Sequence, residues 1–167
     1  GLVLALKPAK ALLLAPTFAE YEQALTACGC VTEYYFLSEE EGFRPGEEFL
    51  DHIGKDTDMV FFCNPNNPTG VAAEPEYLKK LAQRCRDTGT FLVLDECFED
   101  FLEEAEKYSM KGYLEEYPQM FLLKAFTKKY AMAGIRLGYG FCGDPQILGK
   151  MKEVMQPWNV SVEAQEA

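Results

Sequence analysis

The sequence predicts an α/β fold, a mostly parallel sheet flanked by helices. Two features predict it. Six short apolar runs recur along the chain without strict apolar/polar alternation, and segments of helical spacing lie between them. Strands that are apolar on both faces must be covered on both faces, as in a parallel sheet between helix layers. With 167 residues, 48% of them apolar and 26% charged, the chain suits one soluble domain with a substantial core.

The runs, in order, are ALLLAP (11–16), VTEYYFL (31–37), MVFFCNP (59–65), FLVLDEC (91–97), MFLLKAF (120–126) and RLGYGFC (136–142). Helical patterns cover 18–28, a short piece at 45–53, and 74–89. In the last of these, Leu78, Leu81, Ala82 and Cys85 form one stripe, and Gly89 is placed to end the helix. A further helix at 144–155 opens with Asp144 as N-cap and Pro145 at its first position. The acidic stretch at 99–108 reads as a solvated helical face. No internal repeat, low-complexity tract or long linker interrupts this order.

Charge and cysteine usage narrow the function. Sixteen Lys and Arg against 27 Asp and Glu give a net charge of -11, the wrong sign for coating nucleic acid or an anionic membrane. Six cysteines form no CxxC pair and accompany a single histidine, so no metal site is expected. Cys63, Cys97 and Cys142, in or at the ends of apolar runs, read as reduced, buried thiols, which implies a reducing, cytoplasmic setting. The opening LVLALKPAKALLLAP is broken by Lys7, Pro8 and Lys10 and is neither a signal peptide nor a membrane span. Both ends read as cut, the second within a starting helix.

Parallel sheets gather their chemistry at the C-terminal ends of their strands. Four such ends carry chemically distinct groups: Phe18 after the first run, the turn NPNNPTG with Asn67 after the third, Asp95 after the fourth, and Thr127-Lys128-Lys129 after the fifth. Each alone has a bland reading: a turn, a helix cap, surface lysines, or an Arg136 pairing with any carboxylate. Together they match one chemistry. An amine that condenses with an aldehyde must be kept largely neutral. A pyridine ring that acts as electron sink needs a carboxylate to hold its nitrogen protonated. A phosphate needs a guanidinium, and an aromatic side chain can cover a ring face. That set describes a pyridoxal 5'-phosphate site.

The stretches APTFAEYEQAL, NPNNPTG, LDECFEDF and AFTKKYAMAGIRLGY, in this order and spacing, resemble the fold-type-I, class I/II aminotransferase family of pyridoxal-phosphate enzymes. Within it, FTKKYAMAGIRLGYG followed by QPWNVSVEAQ is most similar to threonine-phosphate decarboxylases, with histidinol-phosphate aminotransferases next. The resemblance implies that residues 1–167 are a partial cofactor-binding large domain. It implies Lys128 as the Schiff-base lysine, because Arg136, the phosphate arginine, lies at the family's eight-residue offset from Lys128 and not from Lys129. Asp95 would hold the ring nitrogen, Asn67 the ring hydroxyl, Phe18 would stack on the ring, and Thr127 would add a hydroxyl near the phosphate. The substrate would be an amino acid or amine, phosphorylated in the nearest groups, and the full-length protein a homodimer.

Three departures stand out. Phe98 replaces the family's tyrosine three residues after the aspartate, and Ala125 replaces a Ser or Thr that bonds phosphate. The family's glycine-containing helix start and its small C-terminal domain fall outside the chain, so the isolated chain is expected to be inactive. Two other readings remain open. One is a catalytically inactive fragment or pseudoenzyme domain. The other is a Rossmann-type dinucleotide-binding domain, since Gly138-Tyr139-Gly140-Phe141-Cys142-Gly143 fits GxGxxG, although inside a strand-like run.

Overall fold

A computed structural model of the chain describes residues 1–166; residue 167, the end of the stretch read as a starting helix, lies outside it. The six apolar runs form six strands: β1 (Lys10–Ala15), β2 (Val31–Phe36), β3 (Met59–Cys63), β4 (Phe91–Asp95), β5 (Met120–Ala125) and β6 (Gly138–Cys142). They make one sheet in the order β2-β1-β3-β4-β5-β6. Strands β1 to β5 are parallel, and β6 runs antiparallel to β5.

The α-helices are α1 (Leu2–Leu6), α2 (Glu20–Thr26), α3 (Glu47–His52), α4 (Pro75–Thr88), α5 (Ala105–Tyr108), α6 (Phe126–Lys129), α7 (Pro145–Val154) and α8 (Val162–Glu166). Helix α4 buries Leu78, Leu81, Ala82 and Cys85 and ends on Gly89 at φ 77°. There the missing Cβ permits the left-handed cap. Asp144 accepts a hydrogen bond from the Gln146 N–H at 2.8 Å, with Pro145 opening α7.

Successive strand residues point to opposite faces, and the core divides accordingly. Leu12, Leu14, Phe62 and Leu94 pack with α3 and α4 on one side. Ala11, Leu13, Phe61 and Val93 pack with residues of α1, α2 and α7 on the other. Strand β3 is buried at every position, as a strand covered on both faces must be.

Three expectations are corrected. Strand β2 is largely exposed, with Phe36 77% accessible, because it lies at the sheet edge and has a neighbour on one side only. The stretch 99–108 is no continuous solvated face. It begins as a 3-10 turn at Glu99–Phe101, and Glu99 is buried. Glu99 and the fully buried Glu96 both pair with Lys124 of β5, at 3.1 Å for Glu96. Glu96 also accepts from the Ser109 hydroxyl at 2.9 Å and the Met110 N–H at 2.8 Å. All six cysteines are free; Cys63 and Cys97 are buried, whereas Cys142, expected to be buried, is only half-buried at the end of the edge strand β6. Among the described residues no helix is long and apolar enough to cross a membrane.

The glycine pattern at 138–143 lies on and just after β6 rather than between a strand and a helix. A Cβ on Gly140 would overlap the Phe121 ring, and one on Gly143 would overlap the Leu114 carbonyl. These glycines let the antiparallel strand approach its neighbours. They form no phosphate-cradling turn, so the dinucleotide-binding reading lacks its structural context.

Candidate functional site

The chain passes from β1 to β2 on one side and then returns to place β3 on the other side of β1. That reversal opens a crevice at the C-terminal ends of β1 and β3. Beside it, a cavity of about 420 Å³ lies at the C-terminal ends of β3, β4 and β5, with Phe18 and Tyr21 from the segment after β1, within the roughly 300–1,000 Å³ of small-molecule sites. Phe18, Asn67, Asp95, Thr127, Lys128 and Arg136 all line it. Every residue singled out in the sequence is therefore brought to one place, from the ends of four strands and the approach to β6.

Asp95 closes β4 and is 6% exposed. Its Oδ2 accepts from the Tyr21 hydroxyl at 2.5 Å and its Oδ1 from the Cys97 N–H at 3.0 Å. Two thiols beside it, Cys63 and Cys97, also line the cavity. Burial and then the charge of Asp95 push the Cys63 thiol up to about 11, and the same two causes raise Cys97. Both stay protonated and contribute low polarity rather than nucleophiles.

The Asn/Pro turn divides its amides between structure and site. Asn64 Oδ1 accepts from the Ala73 N–H at 2.7 Å, while its Nδ2 is buried without a partner among the described residues. Asn66 donates to the Pro16 carbonyl and Thr69 Oγ1 and accepts from Thr17 Oγ1, each at 3.0 Å. These bonds tie the turn to the end of β1. Asn67, half-buried against the cavity, makes no side-chain hydrogen bond within the described residues, which leaves its amide available to a ligand.

The two adjacent lysines are equally distinct. Lys129 Nζ pairs with Asp100 Oδ1 at 2.6 Å. Lys128 has no such partner among the described residues; its Nζ lies 4.9 Å from the centre of the Phe98 ring, on the cavity wall. Phe98, at the position of the family's tyrosine, thus offers a π face to the amine and no hydrogen bond. Arg136 holds a left-handed backbone at φ 58°, ψ 37°, a conformation costing a non-glycine residue about 1–3 kcal/mol. Its Nη1 donates to the Ala133 carbonyl at 3.2 Å, and the exposed residue lines the cavity.

Sequence reasoning missed Tyr21 and Lys124, both of which line the cavity. Tyr21 had one available signal: it follows Phe18 by three residues at the start of a helix, which puts both on one face. Lys124 had none, because an isolated lysine in a strand does not announce two distant carboxylates.

Comparison with known proteins gives the family and the fold. The family model described as aminotransferase class I and II matches residues 2–167. A threonine-phosphate decarboxylase of Salmonella typhimurium is 36% identical over 156 residues, covering 93% of this chain and 42% of that protein. A histidinol-phosphate aminotransferase of Nitrosospira multiformis is 35% identical over 115 residues, 69% of this chain and 29% of that one. Among solved structures, the histidinol-phosphate aminotransferase of Clostridium acetobutylicum superposes with a TM-score of 0.84 at 29% identity, covering 95% of this chain and 48% of that one. The chain thus spans less than half the length of these relatives. By the match along its whole length and the fold it shares with them, the chain belongs to the class I and II aminotransferase family.

Proposed function

We propose that this chain is part of the cofactor-binding large domain of a pyridoxal-phosphate enzyme acting on an amino acid or amine. The observation that supports it is the convergence on one cavity of a carboxylate, a guanidinium, an aromatic ring, and an amide and an amine that have no side-chain partner among the described residues. The donor set fits the cofactor. The buried carboxylate, already held by two donors, retains lone pairs for the ring nitrogen. Asn67 has an unused amide for the ring hydroxyl, and Arg136 an unused fork for phosphate.

When bound, the cofactor supplies an electron sink for a bond broken at the substrate's α carbon. The chain's own residues do the rest. Asp95 keeps a proton on the ring nitrogen by offering it a negative partner in a site of low polarity. Phe18 covers one ring face, and Arg136, with the Thr127 hydroxyl, anchors the phosphate. Lys128 would be the amine that holds the group's aldehyde carbon, and it would serve as acid or base at the substrate carbon. The pairing of Lys129 with Asp100 supports Lys128 as that amine.

The names of the two relatives support a phosphorylated substrate and leave transamination and decarboxylation as the two reactions. We place the full-length protein in the cytoplasm as a homodimer, and expect the isolated chain to be inactive. Borohydride reduction of the full-length protein with cofactor, followed by peptide mapping, tests the site. A pyridoxyl tag on Lys128 is expected; a tag on Lys129, or none, overturns the assignment. Product analysis of the full-length protein with threonine phosphate and with histidinol phosphate then separates the two reactions.

A further inference from the structure

We infer that Tyr21 is a positioning residue for the Asp95 carboxylate, fixing it for contact with a protonated ring nitrogen; this rests on the cofactor reading above. The tyrosine is buried, with its hydroxyl 2.5 Å from Asp95 Oδ2. Its ring is held from two sides. It stacks on Phe61 of β3 at 4.9 Å between centroids and 22° between planes, and meets Phe18 edge-on at 5.5 Å and 79°. The hydroxyl is therefore placed by packing and needs no rearrangement to meet the carboxylate.

The direction of the bond is also fixed. Burial, and then the charge of Asp95, raise the Tyr21 hydroxyl far above its ordinary range, so it stays protonated and donates. Donation to Oδ2, with the Cys97 N–H on Oδ1, locks both carboxylate oxygens in orientation. The other neighbours cannot substitute. Cys63 is a protonated thiol bonded toward the Pro65 carbonyl, and Lys124 is occupied by Glu96 and Glu99. Tyr21 also connects the two residues that would hold the ring: it touches Phe18 with its edge and Asp95 with its hydroxyl. A tyrosine serving packing alone would need its ring and not its oxygen.

The Tyr21→Phe variant isolates that oxygen. In the chain without cofactor, proton NMR should show a downfield, slowly exchanging hydroxyl signal, absent from Tyr21→Phe. Replacement of tyrosines by 3-fluorotyrosine, which keeps the ring and acidifies the hydroxyl, should move that signal and covers the case of a poorly folding variant. With cofactor labelled with ¹⁵N at the ring nitrogen, Tyr21→Phe should shift the nitrogen signal from the protonated toward the unprotonated position. It should also weaken cofactor binding, because a carboxylate no longer held by the hydroxyl must be ordered when the ring nitrogen arrives. An unchanged nitrogen signal and affinity, with Lys128 still tagged, overturns the inference and leaves the cofactor reading intact. No tag on Lys128 while the hydroxyl signal persists overturns the cofactor reading, and with it the role given to Tyr21. A missing hydroxyl signal in a folded chain overturns the pairing itself.

Discussion

Replacing Lys124 with methionine keeps most of the side-chain stem and removes its charge. In the native chain this lysine is 11% exposed and faces two carboxylates, Glu96 at 0% and Glu99 at 5% exposure. Glu96 has further donors in Ser109 and the Met110 backbone, whereas the Glu99 carboxylate has Lys124 as its only side-chain partner among the described residues. Lys124→Met would leave two buried like charges side by side, one of them without a donor. Breaking a buried pair in this way costs about 3–5 kcal/mol, a large share of the ~5–15 kcal/mol that holds a domain together. With a urea m value of roughly 2 kcal/mol per molar, the midpoint should fall by about 1.5–2.5 M. Adding Glu99→Gln removes the stranded charge and should restore more than half of the loss, which a double-mutant cycle reads directly. A midpoint shift below about 0.5 M, or a double variant no more stable than the single one, would refute the view that this cluster holds the 99–110 segment against the sheet.

Three further outcomes follow from the same geometry. Ala125 lines the cavity where the family usually has a hydroxyl, so Ala125→Ser should tighten cofactor binding about tenfold or more by titration; unchanged affinity would separate this position from the phosphate. Gly140→Ala should cost about 1–3 kcal/mol in urea unfolding through overlap with the Phe121 ring and a 2.8 Å approach to the Leu122 carbonyl; a neutral result would show that β6 has room to spare. Cys63 makes stability pH-dependent on the alkaline side. Its thiol is raised from 9.0 to about 11, so the folded state keeps a proton that the unfolded chain releases. The contribution is complete below pH 9 and is lost by about pH 11, roughly 3 kcal/mol in all. Urea midpoints measured across that range should fall less steeply for Cys63→Ala; parallel curves would contradict the assignment.

The strand ends were legible because they are local. A run of four or five apolar residues followed by Asp95, or by an Asn/Pro turn, states both a strand and what stands beyond it. The glycine motif at 138–143 was ambiguous for the opposite reason. The same letters serve a phosphate turn or a tight strand, and only Phe121 and Leu114, far away in sequence, decide between them. Glu99 looked like one more acid on a wet helix, because nothing nearby shows that a strand lysine will cover it.

Amino-acid order alone determined the alternation of strands and helices, the parallel sheet, and the set of groups at its C-terminal rim. Hydrophobic spacing and turn chemistry act over a few residues, and these features depend on nothing more. Tertiary structure decided which member of each pair is free. Among the described residues, Asn66 is consumed by Thr17, Pro16 and Thr69 while Asn67 is not, and Lys129 is consumed by Asp100 while Lys128 is not. It also decided that the Asp95 carboxylate is held by a tyrosine 74 residues away. Partners at that separation meet only when the sheet order places β1 and β4 on either side of β3.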